Sequence, residues 1–218
     1  MALIHYAPPL TPYLQIIYQD DDIIVLDKPS GLLSVPGKAP EHADSLQTRV
    51  QRVFPNASVV HRLDMATSGI MLMAMNKTSH RHLSRQFELR QTEKAYQAIV
   101  FGRLSLESGE VDLPLICDWP NRPKQIVDLQ RGKQALTRWQ VVSQEDNTSR
   151  VDLFPVTGRS HQLRVHMLSL GHPIIGDRLY AHKSALALAS RLNLHAKMLR
   201  FTHPGNETLQ TFHSPVPF

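Results

Sequence analysis

The chain has 218 residues, 42% of them hydrophobic, and 24 Lys and Arg against 19 Asp and Glu leave a formal charge of +5. That length suits one substantial domain or two small ones, and the apolar share excludes a wholly disordered chain. A lone Cys117 excludes a disulfide framework and a zinc ribbon, which fits a reducing compartment, while the positive balance suits a polyanionic partner.

The opening MALIHYAPPLTPYLQ lacks a basic start followed by an apolar run, and stretches such as GIMLMAM are too short to cross a bilayer, so a cytoplasmic chain without membrane contact is expected. Its prolines make residues 1–15 an arm lying on the domain that follows. IIYQDDDIIVLDKPSG reads as two short strands joined by an acidic turn and closing on a Lys28-Pro29-Ser30-Gly31 bend. In DSLQTRVQRVF, Leu46, Val50, Val53 and Phe54 recur at helical spacing behind Asp44 as the N-cap, with Gln47 three residues on.

ASVVHRLD and GIMLMAMNK read as strands, and Thr78 or Ser79 caps a helix through SHRHLSRQFELR with Leu83 and Phe87 inward and Arg81 and Arg85 outward. Further strands are expected at KAYQAIVFG, ALTRWQVVSQ and SRVDLFPV. Strands in succession with a few helices favour an α+β class over regular α/β alternation.

A helix is framed by Ser160 and Gly171 around HQLRVHMLSL. At about 100° per residue, Leu163, Val165, Met167, Leu168 and Leu170 form an apolar arc and Gln162, His166 and Ser169 a polar one. Arg164 falls within the apolar arc. It is either buried, and then needs a carboxylate partner or a cleft to solvent, or it is a surface Arg whose stem lies on apolar neighbours.

Asp64 in HRLDMATSG has two readings as well. It is a turn residue ahead of Thr67-Ser68-Gly69, or a carboxylate held on a loop for chemistry. Tyr96 in KAYQAIV suits a strand whatever else it does.

Taken in order, Lys28-Pro29-Ser30-Gly31, HRLDMATSG, Lys94 and Tyr96 in KAYQAIV, GRSHQLRVH, GHPIIGD and LHA resemble the RluA family of RNA pseudouridine synthases. The likeness runs from about residue 15 to the end, and DLPLICDWPNRPKQ resembles the dual-specificity branch. It implies a mixed, mainly antiparallel sheet with flanking helices and a central RNA cleft. Residues 16–218 would be the catalytic domain, with no room ahead of it for an S4-type RNA-binding domain.

The implied reaction converts uridine to pseudouridine in RNA, in an anticodon-loop uridine of tRNA and a hairpin-loop uridine of 23S rRNA. It would be carried out by a monomer with no cofactor. Asp64 would be the catalytic carboxylate, paired with Arg164, and Tyr96 would face the flipped uracil. Arg62 would enter the gap left by the extruded base or touch a phosphate, and His61, Lys94, Arg159, Arg81 and Arg85 would complete the RNA contacts. A non-catalytic RNA-binding or chaperone protein retaining the fold is the alternative.

Metal binding is not expected. His161 and His166 are five apart rather than four, no HExxH is present, and His80 and His82 sit on different helix faces. A serine hydrolase lacks its G-x-S-x-G elbow.

Overall fold

The structure, a computed structural model, describes residues 6–218. In chain order its elements are β1 (Ile16–Gln19), β2 (Ile23–Lys28), α1 (Leu46–Gln51), β3 (Ser58–Val59), β4 (Ser68–Ala74), α2 (Lys77–Glu88), β5 (Glu93–Phe101), β6 (Ser108–Asp112), β7 (Leu115–Cys117), β8 (Gln125–Val127), β9 (Leu136–Gln144), β10 (Thr148–Pro155), α3 (Gln162–Ser169), α4 (Lys183–Ala187), β11 (Leu194–Thr202) and β12 (Leu209–His213). Two compact units divide the chain, the first running to Lys94 and taking in Ala196–Pro217, the second comprising Ala95–His195 and the terminal Phe218. The class is α+β, as the succession of strands predicts.

In the first unit the strand order is β1-β2-β4-β11, with β3 added to β4 and β12 to β11. The pairs β1–β2, β2–β4, β3–β4 and β11–β12 are all antiparallel. The central strands β2 and β4 are buried on both faces, which is why GIMLMA reads as an unbroken apolar run rather than an alternating one. Ile23, Val25, Ile70 and Leu72 pack with Leu83 of α2 and Phe201 of β11 on one face. On the other, Ile24, Leu26, Met71 and Met73 pack with Leu46 and Val50 of α1.

Both helix starts differ from expectation. Ser45, not Asp44, caps α1, in a reciprocal box with Thr48. Asp44 is drawn instead into a bidentate pair with Arg49 at 2.8 and 2.7 Å, a stronger claim on a carboxylate than one backbone N–H. Val53 lies past the helix and is exposed. Asn76, not Thr78 or Ser79, caps α2 by accepting from Ser79 N–H, and Ser79 donates its hydroxyl to Asp22 instead. The described part of the opening arm carries no helix or strand. It is tied down by Tyr6, whose hydroxyl donates to Asp44 O, and by Tyr13, whose ring lies 4.6 Å from the Arg49 guanidinium.

In the second unit the order is β5-β10-β9-β6, antiparallel throughout, with β7 and β8 forming a separate hairpin. The helix expected from Ser160 starts at Gln162, because His161 takes a left-handed conformation at φ 54° and ends the preceding turn. Its burial does not follow the two arcs either. Gln162 and His166 are buried along with Leu163, Arg164, Val165 and Met167, whereas Leu168, Ser169 and Leu170 at the end of the helix are exposed.

Burial of these polar groups is tolerated because each finds partners. Gln162 donates to Leu136 O and Thr137 Oγ1, both at 3.0 Å, and accepts from Thr157 Oγ1 at 2.7 Å. His166 bonds Thr137 Oγ1 at 2.9 Å and Leu113 O at 3.0 Å. A carbonyl only accepts, so Nε2 carries the proton. Burial holds the His166 pKa down, in keeping with this neutral form.

Candidate active site

In the first unit the segment 61–67 is the loop between β3 and β4, not the end of a strand. Asp64 O accepts from Thr67 N–H at 3.1 Å, so the turn reading of this stretch is part of the truth. The loop is braced from several sides through its backbone. The buried Lys28 ammonium donates to Pro29 O, Leu32 O and Met65 O at 3.0, 2.8 and 3.2 Å. Ser30 Oγ donates to Ala66 O at 2.7 Å, and Gly31 N–H to Met65 O at 2.8 Å. Ser34 Oγ donates to Leu63 O and accepts from Leu63 N–H, at 2.6 and 3.1 Å. The Lys28-Pro29-Ser30-Gly31 bend is therefore a clamp on the Asp64 loop, and the two motifs form one structural unit.

Asp64 is half-buried and Arg62, two residues before it, is exposed. His61 faces inward: its Nε2 accepts the Leu72 N–H at 2.9 Å and its ring stacks on Phe87 of α2, centroids 4.6 Å apart. That use of the ring holds the loop to β4 and supports an anchoring part for His61 rather than the RNA contact expected for it. Burial, with added repulsion from Lys94, pushes its pKa down to about 3. Lys94 is itself held below its usual value, by burial first and then by Arg90.

A pH dependence of stability follows. Between about 6.5 and about 3 the unfolded His61 binds a proton that the folded ring refuses, so stability should fall as pH drops through that window. The contribution is at most about 1.4 kcal/mol per pH unit. Denaturant melts from pH 7 to pH 4 should show a flatter slope for His61→Gln, which keeps an acceptor for the Leu72 N–H but cannot titrate there. Equal slopes for the two proteins would remove His61 as the source.

In the second unit Arg164 is buried and meets the requirement for a carboxylate partner in Asp177. Its Nε and Nη2 donate to Asp177 Oδ2 and Oδ1 at 2.8 and 2.7 Å, with side-chain exposures of only 5% and 1%. The Asp177 carboxylate also accepts from the N–H groups of Leu179 and Tyr180. The Tyr180 ring lies 5.0 Å from the guanidinium, and its hydroxyl bonds His161 Nδ1 at 2.6 Å and Gln125 N–H at 2.8 Å. Sequence reasoning missed Asp177 and Tyr180. The signal was present, since a buried Arg demands a carboxylate and GHPIIGD ends in one, 13 residues along the chain.

Tyr96 is half-buried on β5, opposite Leu153 of β10. Arg159 is exposed, and its Nε donates to Gln134 O at 3.0 Å. Arg81 and Arg85 are exposed on α2, with Lys77 one turn earlier on the same face.

Residues 22–169 match the family model described as RNA pseudouridylate synthase. The chain is 58% identical over 219 residues to the dual-specificity RNA pseudouridine synthase RluA of Escherichia coli strain K12, with 100% of both chains covered. The RluA of Haemophilus influenzae is 53% identical with the same coverage. Among solved structures, Human RNA Pseudouridylate Synthase Domain Containing 1 superposes with a TM-score of 0.80 at 30% identity, over 97% of this chain and 87% of that one.

Proposed function

Because the chain belongs to the RNA pseudouridylate synthase family, we propose that Asp64 is the carboxylate through which it isomerises uridine, with Arg164 and Tyr96 beside the reacting base. The observation that carries this reading is the clamp on the Asp64 loop. Lys28, Ser30 and Ser34 grip the main chain of Leu63, Met65 and Ala66, on both sides of Asp64. A carboxylate on so fixed a loop is preorganised.

The reaction cleaves the C1′–N1 bond, turns the uracil while it is held, and joins C1′ to C5; the C5 proton is lost and N1 gains one. No electrons or atoms are left over, so this chemistry needs no cofactor. Asp64 can serve by attacking C1′, by taking the 2′ proton to give a glycal, or by adding to C6. Asp177 engages Nε and Nη2 of Arg164, and we propose that the charge of this guanidinium keeps the Asp64 carboxylate ionised. Tyr96 is assigned to the face of the flipped uracil, and Arg62 to the gap it leaves or to a flanking phosphate.

The substrates proposed are an anticodon-loop uridine of tRNA and a hairpin-loop uridine of 23S rRNA, in keeping with the dual specificity in the relatives' names. The enzyme is proposed to act as a cytoplasmic monomer, with residues 16–218 as its catalytic domain. Whole-chain identity to named synthases disfavours the non-catalytic alternative. Incubation with unmodified tRNA and 23S rRNA transcripts, followed by mapping of pseudouridine, tests the assignment; no pseudouridine in either RNA would overturn it. A loop uridine should react much faster than the same uridine in a perfect duplex, because unstacking it costs less.

Lys77, Arg81 and Arg85 recur at four-residue intervals along the exposed face of α2. Like charges so spaced destabilise a helix. The side chains of the stripe therefore gain the helix nothing from one another, and their use is assigned to RNA phosphates. Replacing Arg81 and Arg85 by Gln should lower the log-log salt slope of RNA affinity by about 1.4, at about 0.7 per phosphate, without loss of thermal stability. Titrations at several salt concentrations check this, and an unchanged slope removes α2 from the interface.

A further inference from the structure

The second unit carries a cavity to which no step of the chemistry above is assigned, although Tyr180 in its wall packs on Arg164. It measures about 350 Å³ and opens between the β7–β8 hairpin and α3. Ile126, Val127, Val165, Leu168 and Leu179 give it apolar walls, and Asp118, Lys124, Gln125, Ser169 and Tyr180 bring polar groups to it. Ile126 and Leu168 are 42% and 38% exposed, an apolar surface that the fold itself leaves uncovered.

Where the hairpin turns, Trp119 stands 66% exposed with the Arg122 guanidinium 4.5 Å from its ring. An indole left in water contributes little to folding, but stacked with a guanidinium it is the kind of platform on which nucleic acid bases stack. The first strand of the hairpin and its turn lie in the segment DLPLICDWPNRPKQ, to which the chemistry assigns no residue.

We propose that the cavity and the Trp119–Arg122 pair form a second nucleobase subsite, which receives an unpaired base of the substrate RNA other than the target uridine. The proposal rests on the reading of the chain as an RNA-modifying enzyme. A planar base fits a cavity of this size, with apolar walls for its face and polar groups for its edge, and Arg122 and Lys124 outweigh the one Asp118 carboxylate in supplying the charge that its phosphates require. Anchoring a second base fixes which uridine of a loop is presented to Asp64, so the subsite acts on substrate choice and affinity and leaves the chemical step alone.

Trp119 reports on the subsite directly, because Trp139, the other tryptophan, is only 5% exposed. Oligouridylate and an unmodified tRNA transcript should each quench the Trp119 emission, and Trp119→Ala should abolish that change. Trp119→Ala should raise KM for the tRNA by roughly 5- to 100-fold, the range of one lost base stack, with kcat within about twofold. Trp119→Phe keeps a stacking face and should restore KM to near wild type. Ser169→Phe, at an exposed position lining the cavity, should raise KM by plugging it.

An emission unchanged at saturating RNA, or a KM within twofold of wild type in both Trp119→Ala and Ser169→Phe, overturns the subsite. Quenching needs no turnover. Quenching without pseudouridine formation therefore supports the subsite while removing the catalytic reading, and turnover without quenching does the reverse.

Discussion

Asp64→Asn is expected to slow pseudouridine formation by at least about a thousandfold while leaving RNA affinity within a few-fold of wild type. Asn keeps the size of the side chain and removes only its ability to carry charge or take a proton. The loop should not move, because its braces grip the carbonyls of Leu63, Met65 and Ala66, which the substitution leaves as they are. Single-turnover rates at saturating enzyme, with a separate binding titration and a melt, distinguish loss of chemistry from loss of fold. Turnover within tenfold of wild type would falsify the assignment of Asp64 to the reacting centre.

Arg164→Met should cost about 3–5 kcal/mol of stability, because it strands the Asp177 carboxylate at 1% exposure without its cation. The N–H groups of Leu179 and Tyr180 still point at that carboxylate and keep the loss from being larger. Activity should fall as well, and the two effects can be separated. The double variant Arg164→Met, Asp177→Asn removes the stranded charge and should recover much of the stability. If Arg164 also keeps Asp64 ionised, as proposed, the double variant stays inactive. Urea melts and isomerisation rates on both proteins decide the matter: a stable and active double variant would reduce Arg164 to a structural role.

Much of the fold could be read along the chain where the signal is local. The two short strands around QDDD, the apolar strand GIMLMA, the helix carrying Leu83 and the strands β5, β9 and β10 all follow from alternation, helical spacing and turn residues, which short windows contain. The short strands of the β7–β8 hairpin were not legible, since three residues each carry no period. Motif order along the chain was enough to point to the family, because the residue types that the chemistry needs recur in a fixed sequence.

Partner choice was different. Asp44 and Arg49 are near neighbours in the sequence, yet only the folded chain shows the clasp displacing the cap; whether Gln162 and His166 would face water or Thr137, and which carboxylate would meet Arg164, depend on groups farther along the chain. A polar side chain is buried only where a specific donor or acceptor waits for it, and no window of neighbouring residues records that. The same holds for the brace on the Asp64 loop. The Lys-Pro-Ser-Gly motif is visible as a bend in the sequence, but its ammonium and hydroxyl reach carbonyls 36 and 37 residues away, and only the folded chain shows that the two motifs are parts of one device.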